Sequence, residues 1–274
     1  MKKLLSVVLS AALLFTTGVH SVGAFGLNAS IEHKDLADHL EKAKLKTVRI
    51  FTQPYENWPT EPSFLAGTGW FMKNNYIVTA WHCIDGSPDP NNVAIEMYRE
   101  DGKLMRVDGL TLVYKDTLQD IAVYRIKDIS DRVAKELKNI GYFDIAKNLK
   151  QGEFTLAMGY PEVNKGAFTH TEGDVMALDW PTIWTYGGTT VGTTRLEMKV
   201  AHGQSGGPII NSKGEVVGMV RGFDNQDANI AYGVSLDGLK KGLNDYINPK
   251  PISAVSVEIV TKDTAVKSSG QDGE

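Results

Sequence analysis

The chain has 274 residues, 42% hydrophobic and 23% charged, which is enough to form a large hydrophobic core in one or two domains. Its formal net charge of −4 at pH 7 argues against nucleic acid or an anionic membrane surface as a partner. Cys83 is the only cysteine, so an intramolecular disulfide is excluded. We therefore expect Cys83 to be a buried thiol that packs as a small apolar side chain.

The first 24 residues have the pattern of a signal peptide for export. Lys2 and Lys3 form a basic start, residues 4–15 form an apolar run, and small residues at 22–24 form a cleavage site. The apolar run is shorter than the roughly 20 residues that span a membrane. We predict a secreted protein, cut after Ala24, with no membrane association after cleavage. The lack of disulfides is more typical of bacterial secretion than of an animal secretory granule.

Residues 25–46 are mostly polar and contain one helical pattern. Leu36, Leu40 and Ala43 recur at helical spacing, which predicts a short amphipathic helix. The segment fits either the N-terminus of the mature protein or a pro-segment, and both interpretations stay open.

Short β-type runs separated by turn residues fill the chain from residue 47 onward. We predict a first group of strands at 48–51, 69–72, 76–80, 93–98, 110–114 and 121–126. A second group is predicted at 154–158, 173–178, 195–200, 208–210, 216–220 and 230–234. Between them Ser130 caps a predicted helix that ends at Ile140, and the spacing of apolar residues predicts a closing helix up to Ile247. Two groups of short strands indicate two antiparallel barrels.

This pattern divides the chain into six predicted segments. They are a signal peptide (1–24), an N-terminal segment or pro-segment (25–46), a first barrel (47–129), a helical linker (130–150), a second barrel with the closing helix (151–248) and a tail (249–274). The tail contains one β-type run at 252–260, and its polar end is predicted to be disordered.

The stretch A-H-G-Q-S-G-G-P-I-I, residues 201–210, surrounds one serine with three glycines. Glycine is costly in an ordered element unless the backbone needs positive φ or a close approach. Gly203, Gly206 and Gly207 therefore predict a tight bend that exposes the Oγ of Ser205 and directs main-chain N–H groups to one point. That arrangement suits an acyl-transfer nucleophile beside an oxyanion hole. An ordinary glycine-rich turn with an incidental serine is the alternative when this stretch is taken alone.

A base and an acid for such a serine occur earlier in the chain. His82 ends the run I-V-T-A-W-H-C, and Asp120 opens the run D-I-A-V-Y-R-I. The order His82, Asp120, Ser205 is one of the known chain orders of a Ser-His-Asp triad. The contexts TA-x-HC, D-I-A-V and G-x-SGGP resemble those of chymotrypsin-like (trypsin-fold) serine proteases, and the resemblance covers residues 47–247.

The resemblance implies an all-β fold of two antiparallel six-stranded Greek-key β-barrels, with the active site between them and a C-terminal helix. It implies a secreted serine endopeptidase in which His82, Asp120 and Ser205 are catalytic and act through an acyl-enzyme intermediate. The backbone N–H groups of Gly203 and Ser205 take the positions of the family's oxyanion hole. We expect a protein or peptide substrate, no cofactor and a monomeric enzyme.

Within the family, the sequence looks most like the bacterial glutamyl endopeptidase branch, but it lacks two residues of that branch. A threonine five residues before the serine and a histidine on the following strand are replaced by Val200 and Val220. Neither valine can donate a hydrogen bond to a buried carboxylate. We therefore predict a substrate pocket lined by Val200 and Val220, with Gly222 leaving room for apolar or aromatic side chains. Lys199 keeps a preference for acidic side chains open.

Other candidate sites are weaker. No His, Cys, Asp and Glu cluster has metal-ligand spacing, so we expect no metal, and the acidic loops 85–92 and 224–229 are predicted to be solvated turns. His170 and His202 fall in predicted turns of the second barrel, where His202 is placed either at the cleft or in a structural role.

The sequence suggests two alternatives to a free-standing protease. A catalytically silent protease-fold binding protein, such as an adhesin or decoy, usually lacks a triad residue, and none is missing here. A protease domain joined to PDZ modules has a similar serine motif, but only 27 residues follow Ile247, too few for such a module.

Overall fold

Two closed six-stranded barrels make up most of the computed structural model, which describes residues 38–52, 65–87, 89–126, 129–183 and 190–247. Neighbouring strands pair antiparallel around both barrels, as predicted from the two groups of short strands. The predicted signal peptide and the predicted tail lie outside the described residues.

The first barrel closes in the order β1-β2-β3-β6-β5-β4. Its strands are β1 (Thr47–Phe51), β2 (Leu65–Met72), β3 (Tyr76–Thr79), β4 (Val93–Tyr98), β5 (Leu104–Asp116) and β6 (Ile121–Ile126). The predicted bounds of β4 and β6 match, whereas β5 is much longer than predicted. Most of the added residues precede Leu110, where exposed Asp108 and Gly109 interrupt the apolar pattern although Met105 and Val107 are buried.

The second barrel closes in the order β10-β11-β12-β9-β8-β7. Its strands are β7 (Phe154–Gly159), β8 (Thr169–Ile183), β9 (Thr190–Glu197), β10 (Pro208–Asn211), β11 (Val216–Phe223) and β12 (Ile230–Val234). The strand predicted at 195–200 ends at Glu197, because residues 198–204 turn away to form the loop before Ser205. His170 lies on β8 and not in a turn, since β8 begins earlier than its apolar residues indicate.

Among the described residues, three α-helices accompany the barrels: α1 (residues 38–46), α2 (Asp131–Ile140) and α3 (Leu236–Ile247). The Oγ of Ser130 accepts a hydrogen bond of 3.4 Å from the N–H of Val133, which confirms the predicted cap of α2. The buried side chains of α2 pack into the core of the first barrel. Leu239 and Leu243 of α3 are fully buried in a cluster that contains residues of both barrels, so the closing helix packs against the first barrel as well as the second.

One apolar layer joins the two barrels and positions the cleft between them. Trp70 and Val123 of the first barrel share a buried cluster with Met158 and Met219 of the second. Burial of such surface contributes about 25 cal/mol per Å² to stability. A polar contact crosses the same boundary, because the hydroxyl of buried Tyr160 donates a 2.9 Å hydrogen bond to the carbonyl of Thr47.

We expect Tyr160→Phe to lower the free energy of unfolding by about 1–3 kcal/mol, because the Thr47 carbonyl would lose its hydroxyl donor where water cannot enter. Tyr232→Phe is the matched control. The hydroxyl of Tyr232 donates to Asp224, which is only half-buried and can bind water instead, so we expect a loss below about 0.5 kcal/mol. Urea unfolding of the three proteins measures both values. Equal losses would contradict a role for the hydroxyl between the barrels.

Candidate active site

His82 and Asp120 form a paired site at the cleft edge of the first barrel. His82 lies in a short 3₁₀ turn, Trp81–Cys83, directly after β3, and Asp120 directly precedes β6. The imidazole Nδ1 is 2.7 Å from Oδ2 of Asp120, and the backbone N–H of His82 donates to Oδ1 at 2.9 Å. The two bonds hold both carboxylate oxygens of Asp120 against one residue. Asp120 adopts a left-handed backbone conformation (φ 60°) to reach this position.

The environment of the pair favours a protonated imidazole. Asp120 is only 1% exposed. Burial by itself lowers the pKa of His82, but the hydrogen bond to Asp120 and the neighbouring Cys83 raise it, and together these effects raise the pKa of His82 to about 10. With Nδ1 directed to the carboxylate, Nε2 is the nitrogen left to exchange a proton with another group.

The loop around Ser205 is fixed by hydrogen bonds to both barrels. The N–H of Thr68 on β2 donates to the carbonyl of Ser205 at 2.8 Å, and the Thr68 hydroxyl donates to the carbonyl of Gly203 at 2.7 Å. The N–H of Gly206 donates to the carbonyl of Val220 on β11 at 2.8 Å. Gly203 and Gly206 have φ values of 92° and 80°, which explains why glycine occupies both positions.

Ser205 lies directly beside the turn that carries His82. The thiol of Cys83 is 3.6 Å from the carbonyl oxygen of Ser205. Gly67 allows this approach, since a Cβ there would be 2.5 Å from the same sulfur and 2.8 Å from the Ser205 oxygen. Cys83 is free and half-buried, with apolar neighbours in both barrels. The serine loop thus contacts the turn that carries His82, although the two segments lie far apart in the chain.

Two backbone N–H groups of the serine loop are turned away from neighbouring carbonyls. The carbonyl of His202 accepts from the N–H of Glu162 at 2.9 Å, and the carbonyl of Gln204 accepts from the N–H of Gly207 at 2.9 Å. In a trans peptide the following N–H points in the opposite direction. The N–H groups of Gly203 and Ser205 therefore face away from these contacts, and neither has a backbone acceptor among the described residues.

The four residues predicted to bind the substrate side chain differ in exposure. Val200 and Val220 are buried, 5% and 2% exposed, and belong to one apolar cluster of the second barrel. Gly222 on β11 is half-buried, and a Cβ there would have open space around it. Lys199 is exposed between two buried neighbours, so its side chain points away from the cluster that contains Val200.

Several other predicted candidates lie outside this arrangement. His202 is exposed, and its ring lies 5.4 Å from that of Phe223, while His170 is 3.8 Å from a carboxylate oxygen of Glu172. Among the described residues no group of three or more His, Cys, Asp or Glu side chains could hold a metal ion. Nor does the described part of the chain contain a helix long and apolar enough to span a membrane.

Sequence reasoning missed Arg221, which is 1% exposed and lies behind the His82–Asp120 pair. Its Nη2 donates to the carbonyl of Leu118 at 2.9 Å, and its Nε is 3.7 Å from Oδ2 of Asp120. Burial lowers the pKa of Arg221 to about 10, while Asp120 and Asp116 oppose this shift, so the guanidinium is charged at neutral pH. The available signal was one arginine within the otherwise apolar run V-V-G-M-V-R-G-F.

Comparison with curated proteins finds Do-like serine proteases. The chain is 31% identical over 152 residues to the serine protease Do-like HtrA of Lactobacillus helveticus, covering 54% of this chain and 33% of that protein. It is 32% identical over 144 residues to a probable periplasmic serine protease do/HhoA-like of Haemophilus influenzae, covering 53% and 27%. The chain thus spans about a third of the length of these relatives. They are Do-like proteases, whereas the motifs had suggested the glutamyl endopeptidase branch.

Solved structures support the two-barrel fold. The Rv3671c protease from M. tuberculosis, in its active form, has a TM-score of 0.58 at 22% identity and covers 78% of this chain and 86% of its own. The serine endoprotease from Yersinia pestis has a TM-score of 0.54 at 20% identity, covering 77% and 66%. The family model described as the trypsin-like peptidase domain matches residues 67–219, more than half of the chain. The chain therefore belongs to the trypsin-like peptidase domain family.

Proposed function

We propose that the protein is a secreted serine endopeptidase whose catalytic residues are His82, Asp120 and Ser205. The observation that carries the proposal is the pairing of His82 with buried Asp120 at 2.7 Å, beside the anchored loop of Ser205. Membership of the trypsin-like peptidase family and the serine protease relatives support the same reaction class. A silent binding protein is less well supported, because all three groups are present and the imidazole is oriented.

The chemistry follows from the roles that this geometry permits. The Oγ of Ser205 attacks the carbonyl carbon of the scissile bond while His82 removes its proton. The imidazolium then donates that proton to the leaving amine, and Asp120 stabilises the imidazolium through the bond to Nδ1. Water then attacks the carbonyl carbon of the acyl-enzyme while His82 removes a proton from it. The imidazolium returns that proton to the Oγ of Ser205, which frees the serine and releases the acid product.

The N–H groups of Gly203 and Ser205 are the proposed oxyanion hole. Their direction, opposite to two carbonyls that are already hydrogen-bonded, supports this role. Such donors stabilise the charge that develops on the substrate oxygen, and each contributes about 3 kcal/mol to lowering the barrier. The Thr68 hydroxyl helps to hold these N–H groups in position, because it donates a hydrogen bond to the carbonyl of Gly203.

Export and a protein or peptide substrate belong to the same proposal. The basic start, apolar run and small residues of 1–24 support a cleaved signal peptide. The name of the Haemophilus influenzae relative describes that protein as periplasmic, which agrees with an exported enzyme. We propose that this protein acts without a cofactor or metal and as a monomer.

We further propose cleavage after apolar side chains. Val200 and Val220 flank the serine loop and share an apolar cluster with Leu196 and Ala231. The exposure of Lys199 supports its exclusion from that cluster. A carboxylate entering beside the valines would lose water without gaining a donor. The motif resemblance to glutamyl endopeptidases gives the competing expectation of cleavage after acidic residues.

The nucleophile is tested with a serine-directed organophosphate or sulfonyl fluoride. We expect the reagent to modify Ser205 and to abolish peptide hydrolysis, and we expect Ser205→Ala to show neither labelling nor activity. Mass spectrometry of the labelled peptide identifies the site. Ser87→Ala is a matched control, because Ser87 donates only to backbone carbonyls of Thr52 and Asp89 and should leave both measurements unchanged. Hydrolysis that persists in Ser205→Ala would refute the assignment.

The pH dependence tests the base. His82 must be neutral to accept the serine proton, and its pKa is raised to about 10 from an ordinary value near 6.5. We therefore expect kcat/KM to rise with pH from neutrality into the alkaline range, with its midpoint above 6.5. Asp120→Asn removes the charge that stabilises the imidazolium, so the midpoint should fall and kcat should drop by about 10⁴. A profile with its maximum near pH 4 would indicate carboxylate chemistry instead.

Specificity is tested with peptides that differ only in the residue before the scissile bond. An unpaired buried charge costs several kcal/mol, and each 1.4 kcal/mol corresponds to about tenfold in rate. We expect leucine or phenylalanine to be cleaved at least ~100-fold faster than glutamate, measured as kcat/KM. Lys199→Ala should leave this ratio unchanged. A preference for glutamate that disappears in Lys199→Ala would show that the lysine reaches the pocket.

A further inference from the structure

Strand β11 contacts both halves of the proposed active site through two consecutive residues. The backbone of Val220 makes two hydrogen bonds of 2.8 Å to the serine loop, accepting from the N–H of Gly206 and donating to the carbonyl of Gly207. The next side chain, that of Arg221, reaches the first barrel and contacts the residues that precede β6. The serine loop and the segment that carries Asp120 are therefore both in contact with the same strand.

The contacts of Arg221 fix the segment that carries Asp120. Its Nη2 hydrogen-bonds to the carbonyl of Leu118 at 2.9 Å, two residues before Asp120, and its Nε lies 3.7 Å from Oδ2 of Asp120. That oxygen is the one bonded to Nδ1 of His82. Arg221 and Asp120 are each 1% exposed, so water screens their attraction little.

We propose that Arg221 is a positioning residue that holds Asp120, and through it the ring of His82, in register with Ser205 across the cleft. The inference rests on the proposed function, since it assigns Arg221 a part in the same reaction without contact with the substrate. An arginine suits the task, because its planar group carries several donors in fixed directions and binds a carbonyl and a carboxylate together. A lysine has one terminal nitrogen and cannot hold both positions in the same way.

Electrostatics explain why a cation is placed there. A buried carboxylate without a compensating charge lowers stability. Removing one partner of a buried ion pair therefore destabilises a protein more than replacing both partners by apolar residues. Asp120 receives two hydrogen bonds from His82, but the imidazole is neutral for part of the catalytic cycle. Arg221 remains charged throughout the cycle and so offsets the carboxylate when the imidazole does not.

The left-handed backbone of Asp120 gives a second reason for the contact between Arg221 and this turn. A non-glycine residue at φ 60° is disfavoured and persists only where its surroundings impose it. The N–H groups of Leu118 and Gln119 donate to the carboxylate of Asp116 at 3.0 and 2.9 Å, which fixes the start of the turn. Arg221, on the opposite barrel, donates to the carbonyl of Leu118 in the same turn. The turn before Asp120 is therefore held through its N–H groups by Asp116 and through a carbonyl by Arg221.

The test compares Arg221→Met with Arg125→Met. Methionine keeps much of the length of arginine without its charge, and Arg125 on β6 is exposed, so its replacement should have no effect. We expect Arg221→Met to lower kcat by about tenfold or more with KM within about twofold, because substrate contacts remain while the catalytic groups lose alignment. Arg221→Lys should give an intermediate kcat.

A double-mutant cycle separates positioning from general stability. In an Asp120→Asn background, the rate of organophosphate labelling at Ser205 should change by less than about twofold on Arg221→Met, because the charge that Arg221 holds is gone. An effect as large as that in the wild-type background would show that Arg221 acts on the fold as a whole and would overturn the proposal. If Arg221→Met does not fold, Arg221→Lys takes its place in both backgrounds with the same criterion.

A pH profile adds a readout that a purely structural residue would not move. The charged and titratable groups around the His82–Asp120 pair are Asp116, Arg221 and Cys83, and Lys115 lies 4.3 Å from the ring centre of Trp81, next to His82. Loss of the Arg221 cation favours the protonated imidazole, so the kcat/KM midpoint of Arg221→Met should lie at higher pH than that of the wild type. A midpoint and kcat identical to those of the wild type would overturn the proposal while leaving the proposed function intact.

The two proposals can fail separately. A wild-type protein that neither hydrolyses peptides nor reacts with the organophosphate contradicts the proposed function. In that case proton NMR still tests the positioning, because the Nδ1 proton shared with Asp120 should give a low-field signal in the wild type that broadens or disappears in Arg221→Met. An unchanged signal in the variant would overturn the role of Arg221 whatever the activity.

Discussion

The buried carboxylate of Asp120 is the constraint on which the rest of the site depends. A negative charge that is 1% exposed needs partners, and three groups supply them: the ring and backbone of His82 and the guanidinium of Arg221. Because these partners come from a 3₁₀ turn of one barrel and a strand of the other, satisfying the charge also fixes how the two barrels meet. The fold and the candidate chemistry therefore share one requirement.

The serine loop meets a different constraint, that of space. Backbone from β2, from β7 and from Ala80 after β3 approaches the loop so closely that a side chain at Gly206 or Gly207 would collide with main-chain atoms. This crowding allows Thr68 to bind two carbonyls of the loop and leaves two N–H groups directed elsewhere. Gly203 and Gly206 adopt positive φ angles in this arrangement. Under the proposed function, it would hold two donors in place before charge develops on the substrate.

Strand β11 contributes to both requirements through two consecutive residues. Val220 belongs to the apolar cluster of the second barrel, while the side chain of Arg221 crosses to the first barrel. The pairing of β11 with β12 shifts its register between Val220 and Gly222, so Arg221 lies at an irregularity of the strand. Such a bulge changes the direction of the side chain that it carries, which is how the residue after Val220 can reach the other barrel.

The sequence by itself determined the two groups of strands and the cap at Ser130, and it singled out His82, Asp120 and Ser205 as candidates, because hydrophobic period and local motifs are properties of neighbouring residues. Tertiary structure alone decided the contacts of Arg221, since its partners lie about a hundred positions away at Leu118 and Asp120. It also decided the end of β9 at Glu197 and the early start of β8. Those bounds depend on pairing across the barrel and on the serine loop, and an apolar pattern within one segment carries no information about either.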